Sequence, residues 1–151
     1  MEIMKSIYDK ATRDELIGRI NSLNENSTAQ WGKMTVCQMV EHCRRWEEMI
    51  AGKLKCKRAF IGRLIGKMAL KNSLKEGKPM MRNAPSSPEL IVRENDGVLA
   101  AEKEQWIALF EENARYPNPN FLHPFFGMMT KEQVGYLDYQ HIDHHLRQFN
   151  V

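Results

Sequence analysis

A chain of 151 residues with 42% apolar and 27% charged side chains suits one globular domain, and at this size roughly 68–70% of the unfolded surface is buried without a second domain. The opening MEIMKSIYDK carries Glu2, Lys5, Asp9 and Lys10 where a signal peptide needs an apolar core, and the longest apolar run, Ala59 to Leu70, is broken by Arg63 and Lys67. A cytoplasmic protein is therefore expected, and three cysteines without CxxC spacing, Cys37, Cys43 and Cys56, are read as reduced thiols.

In chain order, Thr12 and Glu15 form an S/T-x-x-E box that predicts a first helix to Leu23, with Leu16, Ile17, Ile20 and Leu23 inward. NENST ends it. Thr35 with Gln38 is a second capping box, opening a helix over 35–51 whose buried face is Val36, Met39, Val40, Cys43, Trp46 and Ile50, with Gly52 as the stop. His42 lies three residues after Met39 and four before Trp46, so it borders that face. Cys43, turned away from His42, reads as a small core residue.

From Lys53 to Arg82 there are ten basic residues against one acid, Glu76. Phe60, Ile61, Leu64, Ile65 and Met68 form an apolar stripe opposite Arg63, Lys67 and Lys71, which predicts an amphipathic helix with a basic face. Such a face could meet an anionic ligand, a membrane surface or nucleic acid. The preferred reading is a solvated face with snorkelling lysines, and nucleic acid is disfavoured. Pro79, Pro85 and Pro88 then exclude a continuous helix and give a long connection able to cover a site. A further helix is expected over 97–114, with Val98, Leu99, Trp106, Leu109 and Phe110 apolar. YPNPNFLHPFFG breaks the chain again. There, His123 either lids a metal or caps the core with Phe125 and Phe126, the second being preferred.

The last helix, Thr130 to Phe149, begins with a capping box, Thr130 and Gln133, and holds three of the five histidines. Val134, Leu137, His141, His144, His145 and Gln148 recur at three- and four-residue steps, so the histidines continue the apolar stripe. His141 and His145, at i and i+4, can converge on one ion. His42 is the third candidate, at the same height if its helix runs antiparallel to the last one. His144 is open between an acid/base group, a support for the ligands and a solvated residue. Asp138, three before His141 on the same face, is preferred as the acceptor that orients an imidazole, with Glu41 and Asp143 as other carboxylates near the site.

A histidine in the second helix and an HxxxH in the last one resemble the DinB/YfiT-like metal-binding four-helix bundles, with His42, His141 and His145 at the three ligand positions. HPFFGMMT followed by HIDHHLRQF is similar to a DinB-like subfamily of unknown function that ends in an HHLRQF pattern. The resemblance implies an all-α, up-down-down-up bundle in one domain, with the basic helix in the crossover between its second and third helices. It also implies a divalent metal, zinc or nickel, and either thiol S-transfer with a low-molecular-weight thiol or hydrolysis of a small-molecule substrate. His144 and Asp138 are the catalytic candidates, and a homodimer is one expected assembly. The alternative is a non-catalytic bundle that binds metal or an anionic partner.

Overall fold

The computed structural model describes residues 4–75 and 77–151 of the chain. It is mostly helical: α1 is Lys10–Ser22, α2 Val36–Ile50, α3 Phe60–Ser73, α4 Leu99–Arg115 and α5 Lys131–Gln148. A 3-10 turn, Pro88–Leu90, lies in the connection between α3 and α4. A short antiparallel hairpin, β1 (Leu122–His123) and β2 (Gly127–Met128), precedes α5.

Both capping boxes of the two histidine-bearing helices are formed. Thr35 accepts from the N–H of Gln38 and Thr130 from that of Gln133, and each glutamine side chain returns to the cap's own N–H. The first helix is corrected by three residues. Asp9, not Thr12, is its cap, accepting both the backbone N–H and the hydroxyl of Thr12 at 2.8 Å. A carboxylate is the better acceptor at the positive end of a helix, and Thr12 is thereby drawn inside.

Side-chain contacts fix the relative directions of the helices. Trp31 meets Gln148, His42 meets His141, and Trp46 meets Asp138, so α2 and α5 run antiparallel. Arg44 pairs with Glu102 and Glu47 with Asn113, so α2 and α4 run parallel and pack along one another. Ile7 bonds Gly135 and Arg19 bonds Asp143, which sets the N-terminal segment and α1 alongside α5 in the same sense. The main core gathers Leu16, Ile20, Met39, Val40, Trp106, Phe110, Ile142 and Leu146. A second cluster forms around Trp46, Ile50, Leu90, Phe121 and Leu137.

Two features depart from the sequence reading. The hairpin falls in a stretch expected to be irregular, and its turn is closed by His123, whose Nδ1 accepts the N–H groups of Phe125 and Phe126 at 3.1 Å each. The second concerns α3, which does not lay its apolar stripe on the bundle. Its inward face is Gly62, Gly66 and Leu70, and a Cβ at either glycine would run into the carbonyl oxygen of Phe125. Phe60, Ile61, Leu64, Ile65 and Met68 all point to solvent. Among the described residues no helix is long and apolar enough to cross a membrane.

Candidate metal centre

Antiparallel packing of α2 on α5 brings His42, His141 and His145 into one layer. One ring nitrogen from each lies within 4.8 Å of the other two. The nearest pair, His42 Nε2 and His141 Nε2, is 3.1 Å apart. All three are buried, at 5%, 5% and 8% exposure. Among the described residues no cysteine, carboxylate or fourth histidine joins the group.

Hydrogen bonds behind the rings decide which nitrogens are free. His42 Nδ1 lies 2.8 Å from the Leu90 carbonyl, which only accepts, so the hydrogen is on Nδ1 and Nε2 is bare. His145 Nδ1 is likewise 2.8 Å from Gln148 Oε1. The glutamine cannot be reversed, because its Nε2 donates to the Trp31 carbonyl at 2.9 Å. Two bare Nε2 atoms therefore face a third imidazole, an arrangement that repels unless a proton or a cation sits among them. Burial also keeps the rings neutral. It holds His42 below the ordinary histidine range, His141 well below it with His145 next in effect, and His145 at about 3 with His42 adding to the effect. Neutral imidazoles with converging lone pairs are the donor set that zinc- and nickel-class ions take, so the residues fit a divalent metal.

His141 is held differently. Its Nδ1 has no hydrogen-bond partner, and its ring lies flat on Trp46, with centroids 3.9 Å apart and planes 14° from parallel. Here the expectation for Asp138 is corrected. Its Oδ1 accepts from the Trp46 indole at 2.9 Å and does not reach an imidazole as a hydrogen-bond acceptor, so it acts on His141 only through the tryptophan. The cause is depth, since Asp138 is fully buried one layer beneath the histidines, where the indole N–H is the donor at hand.

Beside Asp138 lies Glu47, a residue the sequence reading left out. Glu47 Oε2 accepts from Asn113 at 2.8 Å, while Glu47 Oε1 and Asp138 Oδ2 are both without an ordinary partner. A proton held between the two carboxyls satisfies both oxygens. Burial raises each above the usual carboxylate range, Glu47 furthest and with further help from Asp138, and Asp138 to about 7. A signal for Glu47 existed in the spacing, for it stands four after Cys43 and three before Ile50, on the buried face of α2. Leu90 offered none, because it contributes a backbone carbonyl.

His144 stands outside the trio. It is half-buried, edge-on to His145 at 5.1 Å and to Trp31 at 5.5 Å, and Arg82 stacks on the other ring of that pair, Trp31, at 4.0 Å. The connection after Gly77 thus reaches the histidine layer through Arg82. A cleft of about 490 Å³ borders His144, lined also by Lys75, Lys78, Tyr136 and Tyr139. His123 is not among the three, and stacks on Phe126 with centroids 4.5 Å apart, capping the second cluster as preferred from the sequence. Burial first, and then Arg58, depress it to about 4. Glu41 and Asp143 are taken up by arginines, Glu41 by Arg45 at 2.6 Å and Asp143 by Arg19 and Arg147 at 2.8 Å each. Cys43 is buried with its thiol toward Met39, as a core residue.

From Ile7 to Val151 the chain matches the family model described as Protein of unknown function (DUF1569). It belongs to the DUF1569 family. No curated protein and no solved structure matches it.

Proposed function

We propose that this DUF1569 protein is a divalent-metal protein of the DinB/YfiT-like four-helix-bundle type, with His42, His141 and His145 as its ligands and zinc or nickel as its ion. The observation that carries this reading is the convergence of three buried imidazoles, two of them stripped of hydrogen at Nε2 by Leu90 and Gln148. The pairwise directions of α1, α2, α4 and α5 support the up-down-down-up bundle, with α3 in the crossover.

We further propose that the site is catalytic. Three protein ligands without a fourth match the ligand count of catalytic zinc sites, whereas structural ones are closed by four. When bound, the ion supplies Lewis acidity, which suits either activation of water for hydrolysis or capture of a low-molecular-weight thiol for S-transfer. The chain's own contribution is positional. Leu90 and Gln148 fix two rings, Trp46 backs the third, and the apolar side chains around the layer exclude bulk water. His144, half-buried between His145 and the cleft, is placed to move a proton for a small-molecule substrate.

The near-complete burial of all three ligands favours one competing reading, a non-catalytic metal-binding bundle. Metal analysis of the purified protein, followed by cobalt substitution, separates the two. The catalytic reading expects about one ion per chain and a visible spectrum that shifts when thiols or small anions are added. A stoichiometric ion whose spectrum never responds overturns it in favour of the non-catalytic bundle. Absence of metal binding overturns both.

A further inference from the structure

Helix α3 is amphipathic in the reverse of the usual sense. Phe60 is 78% exposed, Leu64 71% and Met68 69%, with Ile61 and Ile65 beside them. At about 100° per residue Phe60, Leu64 and Met68 lie on the side of the helix away from Gly62 and Gly66, with Ile61 and Ile65 at its edge. The glycines account for the inversion. They bring the α3 backbone against the Phe125 carbonyl, and at this contact only glycine fits, so larger apolar side chains are left facing outward. Exposed apolar faces of this kind mark a partner surface.

Charge decides which partner. The cations are not opposite the stripe as expected: Arg63 borders the apolar side chains and Lys71 stands in line with Phe60 and Leu64 farther along the helix, both exposed, and among the described residues neither has a carboxylate within salt-bridge distance. Lys67, on the same flank, donates to the Met128 carbonyl. The helix sits in the segment with ten basic residues against one acid, while the whole chain is only +3. A second copy of this face would bring two such segments together and repel. An anionic surface attracts it, and an apolar side chain flanked by cations is what the headgroup boundary of a bilayer accommodates.

We propose that α3 docks this protein peripherally on anionic lipid bilayers, with Phe60, Leu64 and Met68 entering the headgroup boundary and Arg63 and Lys71 meeting lipid phosphates. The docking uses no part of the histidine layer, so it stands independently of the metal reading.

Co-sedimentation with phosphatidylcholine vesicles, with and without phosphatidylglycerol, tests it. The expected result is partition onto the phosphatidylglycerol vesicles alone, reduced at least about tenfold by high salt and by the double change Phe60→Ser with Leu64→Ser. Both residues are exposed, and an unchanged circular-dichroism spectrum confirms that the variant is folded. His42→Ala binds vesicles as the unaltered chain does. Absence of partition, equal partition onto both vesicle types, or full binding by the double variant overturns the proposal. So does a stable dimer in sedimentation equilibrium that the double variant breaks, because the face would then be covered by a second copy.

Discussion

The indole of Trp46 lies flat against the imidazole of His141, 3.9 Å between centroids, while its N–H is committed to Asp138 at 2.9 Å. One side chain thus joins the histidine layer to the buried carboxyl pair beneath it. Trp46→Phe keeps a ring on His141 but deprives a buried carboxyl oxygen of its donor. The expected loss of stability of the metal-free protein is about 1–3 kcal/mol, read by urea unfolding. An unchanged midpoint would mean that Asp138 finds another donor.

On the proposed metal reading, changing His42, His141 or His145 to Ala is expected to abolish binding of the ion while leaving the helical circular-dichroism spectrum intact, since apolar helix faces hold the fold. Gln148→Ala should behave differently. It spares all three ligands but frees the His145 ring, so metal is retained with affinity weakened about 10–100-fold in a competition titration against a chelator. Equal affinity for the unaltered and Gln148→Ala proteins would show that the ring is oriented by packing alone.

Buried groups of opposite sign shape the pH dependence. His145 and His123, held at about 3 and about 4, stay neutral in the fold. In the unfolded chain both protonate near ~6.5, so their stability is complete above that value and lost as pH falls toward 4 and 3. Asp138, raised to about 7, keeps a proton that the unfolded chain releases near 3.8. Its contribution is complete at low pH and lost as pH rises through 7. Between roughly 4 and 6.5 the two effects oppose, so the metal-free protein should show a shallow dependence there. Glu47, raised further still, acts in the same direction, so the double change Glu47→Gln with Asp138→Asn removes the carboxyl side of the balance, and stability should then rise with pH at up to about 1.4 kcal/mol per unit for each histidine. A flat profile for that variant would overturn the assignment.

Two glycines in helices should respond to alanine with opposite signs. Gly18 is exposed in the middle of α1 with open space around a Cβ, so Gly18→Ala should stabilise by about 0.5–1 kcal/mol. Gly66→Ala drives a Cβ into the Phe125 backbone and should cost about 1–3 kcal/mol. Hydrogen exchange over Phe60 to Ser73 should quicken only in the second variant.

Much of the site was legible because local chemistry carries it. Thr35 with Gln38 and Thr130 with Gln133 mark helix starts through side-chain-to-backbone bonds that span three residues, and they set the heights at which the histidines meet. Asp9 is masked in the sequence by Thr12 and Glu15, which offer a capping pattern with a weaker acceptor three residues on. The orientation of α3 was not legible, since periodicity shows that a stripe exists but not which surface it meets. The surface that decides it is the Phe125 backbone, distant in sequence. Glu47 was hidden for a related reason, because a carboxyl on an apolar face depends on groups distant in sequence, here the Asn113 amide and the Asp138 carboxyl beside it. The hairpin after Phe121 rests on an unusual device, a histidine ring accepting two backbone N–H groups, for which residue type alone gives no cue.

The pairing of His42 with His141 spans 99 positions. A chain made from its N-terminus exposes the first of these histidines long before the second exists, and of the five helices α5 leaves the ribosome last. Early helices can form and collapse on apolar contacts, but no intermediate that lacks α5 owns all three histidines. The proposed capture of an ion is thus confined to chains that have released α5, and until α5 emerges a competing metal meets a single imidazole from this layer.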